Sequence, residues 1–234
     1  MKMDFIRRTW AEIDLDALDY NIKSIKAKMK DGQKVMGIVK ADCYGHGDGF
    51  IARKLDAAGF DWFGVSNIEE GMSLRTEGIT KPILILGYTP VDCANILAEQ
   101  KITQALIGME YCKALQAAAE KAGVVVDGHI KLDTGMTRVG FQTDDENFEE
   151  SLKEIIEVSK MPNIHITGIF THHAVADAYQ GDNPAFTDMQ FHRFMKMTDA
   201  LKEAGVDIGL RHCANSATII SYPEKHLDMC RSGI

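Results

Sequence analysis

The sequence predicts an α/β protein of the (β/α)8 barrel type. Three observations carry that prediction. Short apolar runs alternate with longer stretches of helical period, and buried strands separated by helices form a parallel sheet. The runs number eight after an N-terminal extended piece, which is what a closed barrel needs. Polar residues gather at the C-terminal ends of the runs, where a barrel opens its mouth. The open doubly wound sheet is the rival architecture, but its usual glycine fingerprint after the first strand is absent.

The extended piece covers residues 1–14, with TWAEIDL across its end, and is expected to pack near a C-terminal domain absent from this chain. The first run, VMGIVKA (35–41), leads into Lys40, Asp42, Tyr44 and His46. WFGVSN (62–67), ILILG (83–87) and TQALIG (103–108) follow, with Leu86 near the end of the third run. HIKLDTG (129–135) is the fifth and carries Lys131 and Asp133, with Met136 and Arg138 just beyond. HITGIFTHH (165–173) ends in His172 and His173. LRHCANS (210–216) supplies His212, Asn215 and Ser216, and LDMCRSGI (227–234) supplies Arg231, Gly233 and Ile234. Amphipathic segments such as GFIARKLDAAGF, NIEEGMSLRTEG and EYCKALQAAAEKAG lie between runs. Several end in glycine, a usual helix C-terminal signal. No helix follows the eighth run, so the barrel is expected to be incomplete there, with one flank of the sheet uncovered. The 234 residues therefore read as part of a longer protein.

Composition narrows the function classes. At 45% hydrophobic and 26% charged residues, disorder and coiled coil are excluded. A net charge of −8 argues against a nucleic-acid partner, but not against one small anion held by a local field. Five cysteines with no CxxC fit a reducing compartment and not a zinc knuckle. No apolar leader and no apolar run of about 18 residues is visible, so the protein reads as cytoplasmic, without a membrane partner. His172 and His173 are adjacent and point to opposite faces of a strand. With no HxH or HExxH pattern, a metal-dependent hydrolase is disfavoured and no metal site is expected.

Lys40 ends an apolar strand, which draws its ammonium partly out of water. Desolvation favours the neutral, nucleophilic amine that covalent carbonyl chemistry requires. On position alone, a lysine reaching solvent along its own stem is the commoner case.

The stretch VKADCYGHGDG around Lys40 decides the matter. It resembles the cofactor-lysine motif of the alanine racemase family, whose usual form is VKA[ND]xYGHG. KLDTGMTRVG (131–140), FTHHAVAD (170–177), HCANSA (212–217) and RSGI (231–234) match further family blocks, in order and at matching spacing. His173 departs from the pattern, since the family usually has an apolar residue there. The resemblance implies a pyridoxal 5'-phosphate enzyme whose N-terminal domain is a barrel.

In that resemblance Lys40 carries the cofactor and is one of two bases for the substrate α-proton. Tyr44, Asn215, Ser216, Gly233 and Ile234 hold the cofactor phosphate, and Leu86 lines the cofactor site. Arg231 faces the pyridine nitrogen and His212 hydrogen-bonds Arg231. Arg138 lies near the phenolic oxygen and the substrate carboxylate, oriented by Lys131, which many members carry as a carbamate. The backbone N–H of Met136 helps hold that carboxylate, and His172 lies near the pyridine ring. Asp133 is left between holding backbone and holding Arg138, and His173 is expected to be a hydrogen-bonded structural histidine. Small buried hydrophobes are the default for Cys43, Cys213 and Cys230.

The second base is expected from a C-terminal β-domain of the partner subunit in a homodimer, so little or no racemase activity is expected of this chain. Alanine is the implied substrate, and supply of D-alanine to peptidoglycan the implied role. A serine or broad-specificity racemase of the same fold and a non-catalytic pyridoxal-phosphate-binding homeostasis protein are the alternatives. A decarboxylase of the same fold type is weaker, because such enzymes usually place a carboxylate at the pyridine nitrogen, where Arg231 stands here.

Overall fold

A computed structural model of the chain describes residues 9–233. Ile234 and residues 1–8 of the expected extended segment lie outside the described residues. The strands are β1 (Lys34–Ile38), β2 (Trp62–Val65), β3 (Ile83–Ile85), β4 (Ile102–Leu106), β5 (Val126–Asp133), β6 (Phe141–Gln142), β7 (Ile164–Phe170), β8 (Leu210–His212) and β9 (Met229–Ser232). They run in the order β8–β7–β5–β4–β3–β2–β1–β9, and every pair is parallel. β6 is a two-residue addition beside the end of β5, too short to announce itself in the sequence. The doubly wound alternative is excluded, because β1 lies between β2 and the last strand, β9.

The ring is nearly closed. At the β8–β9 seam, Asp228 N–H donates to Arg211 O at 3.1 Å and Arg231 N–H to Ala214 O at 2.9 Å. The Arg211 guanidinium spans the same seam to the Asp228 carboxylate at 2.9 Å. Each strand stops where the polar tail of its predicted run begins, so residues 39–41, 171–173 and 213–216 form the mouth.

Two apolar layers hold the barrel. Met36, Leu84, Ala105, Phe170 and Met229 fill its interior. Phe63, Ile83, Ile102, Ile130, Ile155 and Leu201 belong to the larger layer between strands and helices. The predicted amphipathic segments become the helices Asp48–Ala57, Ile68–Thr76, Met109–Ala122 and Asn183–Glu203. Gly123, at φ +67°, closes the third of these in the left-handed region that glycine adopts at little cost. Among the described residues no helix is long and apolar enough to cross a membrane.

The flank expected to lie bare beside the eighth strand is partly covered from the other end of the chain. Asp14 starts a helix, Leu15–Lys26, by accepting from the backbone N–H of Asp16 and Ala17, both at 2.9 Å. On one side Lys26 Nζ reaches Ala58 O at 2.7 Å and Asp19 pairs with Lys54 at 2.9 Å. On the other, Ile25 packs on Ala214, Ile219 and Cys230. A crevice of about 690 Å³ remains between this helix and the barrel, lined by Ile25, Ile38, Phe60 and Ile220 among others. The helix therefore lies over the flank beside β1 and β9. Ile22 is its one buried side chain, so Ile22→Ala is expected to cost about 2–4 kcal/mol. Urea unfolding followed by circular dichroism measures it; a loss below about 0.5 kcal/mol means that the helix does not seal the flank.

Candidate active site

Lys40 stands at the mouth, half-buried, just after β1. The four residues after it, Ala41 to Tyr44, all have φ between 50° and 56° and ψ between 35° and 55°. This is one turn of left-handed helix built from non-glycine residues, and each residue costs about 1–2 kcal/mol. Tertiary bonds impose it. Glu70 accepts from Ala41 N–H at 2.9 Å with one carboxylate oxygen and from Ser66 N–H and Oγ at 2.7 and 2.8 Å with the other. Asp42 O accepts from Gly47 N–H at 2.9 Å, and its carboxylate accepts from Asp48 N–H at 2.8 Å. The turn sets Lys40 and Tyr44 side by side, with Lys40 Nζ 6.0 Å from the Tyr44 ring centre.

Tyr44 in turn meets the far end of the chain. A Cβ on Gly233 would stand 2.9 Å from the Tyr44 hydroxyl and 3.0 Å from Ile38 Cβ, so a larger residue would push on both. Ser216 Oγ accepts from Gly233 N–H at 2.9 Å and donates to Gly233 O at 2.6 Å. One lysine amine, two hydroxyls and a backbone N–H thus lie along one side of the mouth. The Asn215 side chain is engaged in capping the helix Ser216–Ser221: it accepts from Thr218 N–H and Oγ1 and donates to His173 O. Leu86 lies half-buried at the mouth end of β3, packed on the barrel interior.

Across the mouth, Arg231 is buried without an acid. Nη1 donates to His212 O at 3.0 Å and to His212 Nδ1 at 3.1 Å. Nη2 donates to Thr171 O at 2.8 Å, Cys213 O at 3.3 Å and His172 Nδ1 at 3.4 Å. Among the described residues Arg231 makes no ion pair. Burial lowers its pKa to about 10, so it stays a cation at neutral pH. Burial, and then the Arg231 charge, holds His172 at about 3 and His212 well below its ordinary value, so both imidazoles are neutral acceptors toward the arginine. Phe170 backs the cluster: it stacks on His212 at 4.9 Å and offers its face to Arg231 and to Lys131 at 5.6 and 5.7 Å.

β5 supplies the third wall. Lys131 is buried, and its amine donates to Leu132 O at 2.6 Å and Val139 O at 3.2 Å. Burial pulls its pKa down to about 7, opposed by Asp133 and aided by Arg231 and Arg138. Asp133 holds backbone: its carboxylate accepts from the N–H groups of Gly135, Thr137 and Arg138 at 2.7–3.0 Å. Those bonds keep it ionised and its pKa low and fix the loop that carries Met136, half-buried, and Arg138, exposed at the mouth. His173 turns away from His172, and its Nδ1 lies 2.9 Å from Thr218 Oγ1 in the protein interior, the structural place expected of it.

Comparison with known proteins places this arrangement. Residues 13–234 match the family model "Alanine racemase, N-terminal domain". The chain belongs to the alanine racemase family. It is 43% identical to the alanine racemase of Desulfovibrio desulfuricans over 99% of its length, which spans 60% of that relative. It superposes on the alanine racemase of Clostridium difficile 630 with a TM-score of 0.89 at 39% identity, covering 97% of this chain and 58% of that one. It also superposes on a histidine racemase from Leuconostoc mesenteroides with a TM-score of 0.82 at 30% identity, covering 94% of this chain and 56% of that one. The chain thus spans about three-fifths of the length of these family members.

Two residues of the site are absent from the sequence reading. Glu70, which clamps the left-handed turn, carries no sequence signal, since its partners are backbone groups of other segments. His129 has its Nδ1 2.9 Å from His212 Nε2 in the barrel interior. It stands two residues before Lys131 and so on the same face of β5, a periodicity that could have pointed to it.

The depressed Lys131 amine gives a pH signature. Between about pH 7 and the ordinary lysine value of 10.5 the unfolded chain holds one proton more than the folded one. Stability on that account rises with pH across this window and levels off below it. Lys131→Met is expected to remove one proton's worth of slope between pH 7.5 and 10 in urea-unfolding curves. Parallel curves for the two proteins would mean that the buried amine is charged.

Proposed function

We propose that this chain is the cofactor-bearing barrel of an amino-acid racemase that uses pyridoxal 5'-phosphate to interconvert L- and D-alanine. The observation that carries the reading is Arg231, a buried cation held by carbonyls and imidazoles and facing the same mouth as Lys40. The residues present fit the cofactor. Tyr44, Ser216 and Gly233 form a cradle that a Cβ would crowd, suited to a phosphate dianion. Lys40 is within reach of that cradle along Tyr44.

Pyridoxal phosphate, when bound, supplies the electron sink that makes the α-proton of an amino acid removable. The chain supplies the rest. Lys40 Nζ takes and returns a proton at one face of the substrate Cα. Arg231 would stand toward the ring nitrogen as a cation and, with a pKa of about 10, would not hand over a proton. Electron withdrawal through the ring would then stay modest, which would disfavour transamination. Arg138, on the loop fixed by Asp133, offers a guanidinium fork to the substrate carboxylate or the phenolic oxygen, with the Met136 N–H beside it. Carbonyls and neutral imidazoles around Arg231 exclude a competing acid from that end of the ring. The low pKa of Lys131 leaves a share of neutral amine at pH 7, the form that reacts with carbon dioxide to give the carbamate of the family resemblance.

The base for the opposite face is proposed to come from a second subunit, in a homodimer of the whole protein. The proposed setting is the cytoplasm and the proposed use of D-alanine is peptidoglycan. The histidine racemase on the same barrel keeps a second reading open, in which another amino acid is the substrate.

The experiment is cofactor titration of the chain, borohydride reduction and peptide mapping, followed by α-proton exchange of D- and L-alanine in deuterium oxide. The expected result is a pyridoxyl label on Lys40, exchange from one enantiomer only, and neither in Lys40→Ala. A folded chain whose label falls elsewhere, or nowhere, overturns the cofactor assignment. Exchange rates for alanine, serine, lysine and histidine then rank the substrates; a better rate for any but alanine overturns the alanine assignment.

A further inference from the structure

We infer that His129 is a positioning residue for Arg231, acting through His212 from inside the barrel. The inference starts from tautomers. Arginine only donates, so the 3.1 Å contact from Arg231 Nη1 makes His212 Nδ1 a lone-pair acceptor. A neutral His212 then carries its proton on Nε2. That nitrogen lies 2.9 Å from His129 Nδ1, which must accept. The order of donation is Arg231 to His212 to His129, and each step is fixed by the one before.

Three features of the fold aim the His129 ring at this task. The pairing of β5 with β7 shifts register between Gly128 and His129, and such irregularities re-aim a side chain. The strand opposite carries Gly168, where a Cβ would stand 2.6 Å from His129 Nε2 and Cε1, so the ring takes the space of a missing side chain. Trp62 packs on its other side, at 5.1 Å between ring centres. Both imidazoles are fully buried, and burial lowers the His129 pKa to about 3, so it remains an acceptor. Among the described residues its own Nε2 has no hydrogen-bond partner, although it is buried. A chain that needed only an apolar filler here would not leave an N–H unpaired at a cost of about 1–3 kcal/mol. The arrangement is explained if Nδ1 is the working atom: it holds the His212 ring so that Nδ1 of His212 faces Arg231, and it raises the basicity of that acceptor.

The test compares His129→Phe, which keeps a ring without an acceptor, with His129→Asn, whose side-chain oxygen replaces Nδ1. Gly168→Ala, which leaves His129 in the sequence but displaces its ring, is the third variant. The first readout is hydrogen exchange of the Arg231 guanidinium and His212 Nε2–H protons by nitrogen-15 NMR of the cofactor-free chain. Wild type and H129N are expected to protect both; H129F and G168A are expected to exchange them at least about tenfold faster. Equal protection in wild type and H129F overturns the inference, as does H129N behaving like H129F.

The second readout rests on the racemase reading. With pyridoxal phosphate bound, α-proton exchange of alanine is expected to fall about tenfold in H129F at unchanged half-saturating alanine, and to recover in H129N. Unchanged exchange in an H129F chain with lost protection overturns the positioning role. A wild-type chain that exchanges no α-proton fails the racemase reading instead, and guanidinium protection alone then decides the role of His129.

Discussion

The structure depends on how one guanidinium is kept inside a barrel without a carboxylate. Arg231 lies on the last strand, and its partners come from the residues around β7 and β8. Carbonyl oxygens supply partial negative charge without adding a titratable acid. The imidazoles supply lone pairs only while neutral, and burial, aided by the arginine charge, keeps them so. The Phe170 ring adds its face. Burial penalises the cation, and the carbonyl oxygens, neutral imidazoles and ring face offset part of that penalty. An aspartate among these groups would form a tight pair and turn the guanidinium away from the mouth.

The barrel makes this possible by bringing distant segments into register. Strand ends that are far apart in sequence, such as residue 40, residue 133 and residue 231, open on one mouth because all the strands run the same way. The apolar interior gives way to polar groups one layer below that mouth, at His129, Lys131 and His212. That layer holds the side chains above it and is almost wholly shut off from solvent.

Much of this was legible in the sequence. The eight runs became the eight strands of the ring, because parallel buried strands are apolar on both faces and stand out from the helices. Lys40, Tyr44, Ser216, Arg231 and Gly233 were reached through blocks that resemble those of the alanine racemase family, and the structure gathers them at one mouth. The helix Leu15–Lys26 went unread because its role is to cover a flank, which depends on topology and not on local pattern. Asp133 could not be settled, since accepting three backbone N–H groups and holding an arginine ask for the same residue. Glu70 was invisible for a related reason: its partners are main-chain atoms, which every residue has.

The left-handed turn after Lys40 has a consequence for handedness itself. Four consecutive L-residues are held there in the mirror image of their preferred helix, and only contacts made by the finished barrel keep them so. A free peptide of the same sequence lacks those contacts and would not hold the left-handed turn. The spacing of the amine and the hydroxyl is therefore a property of the whole fold. At this one turn, a chain built with D-residues would fit more easily than the natural one.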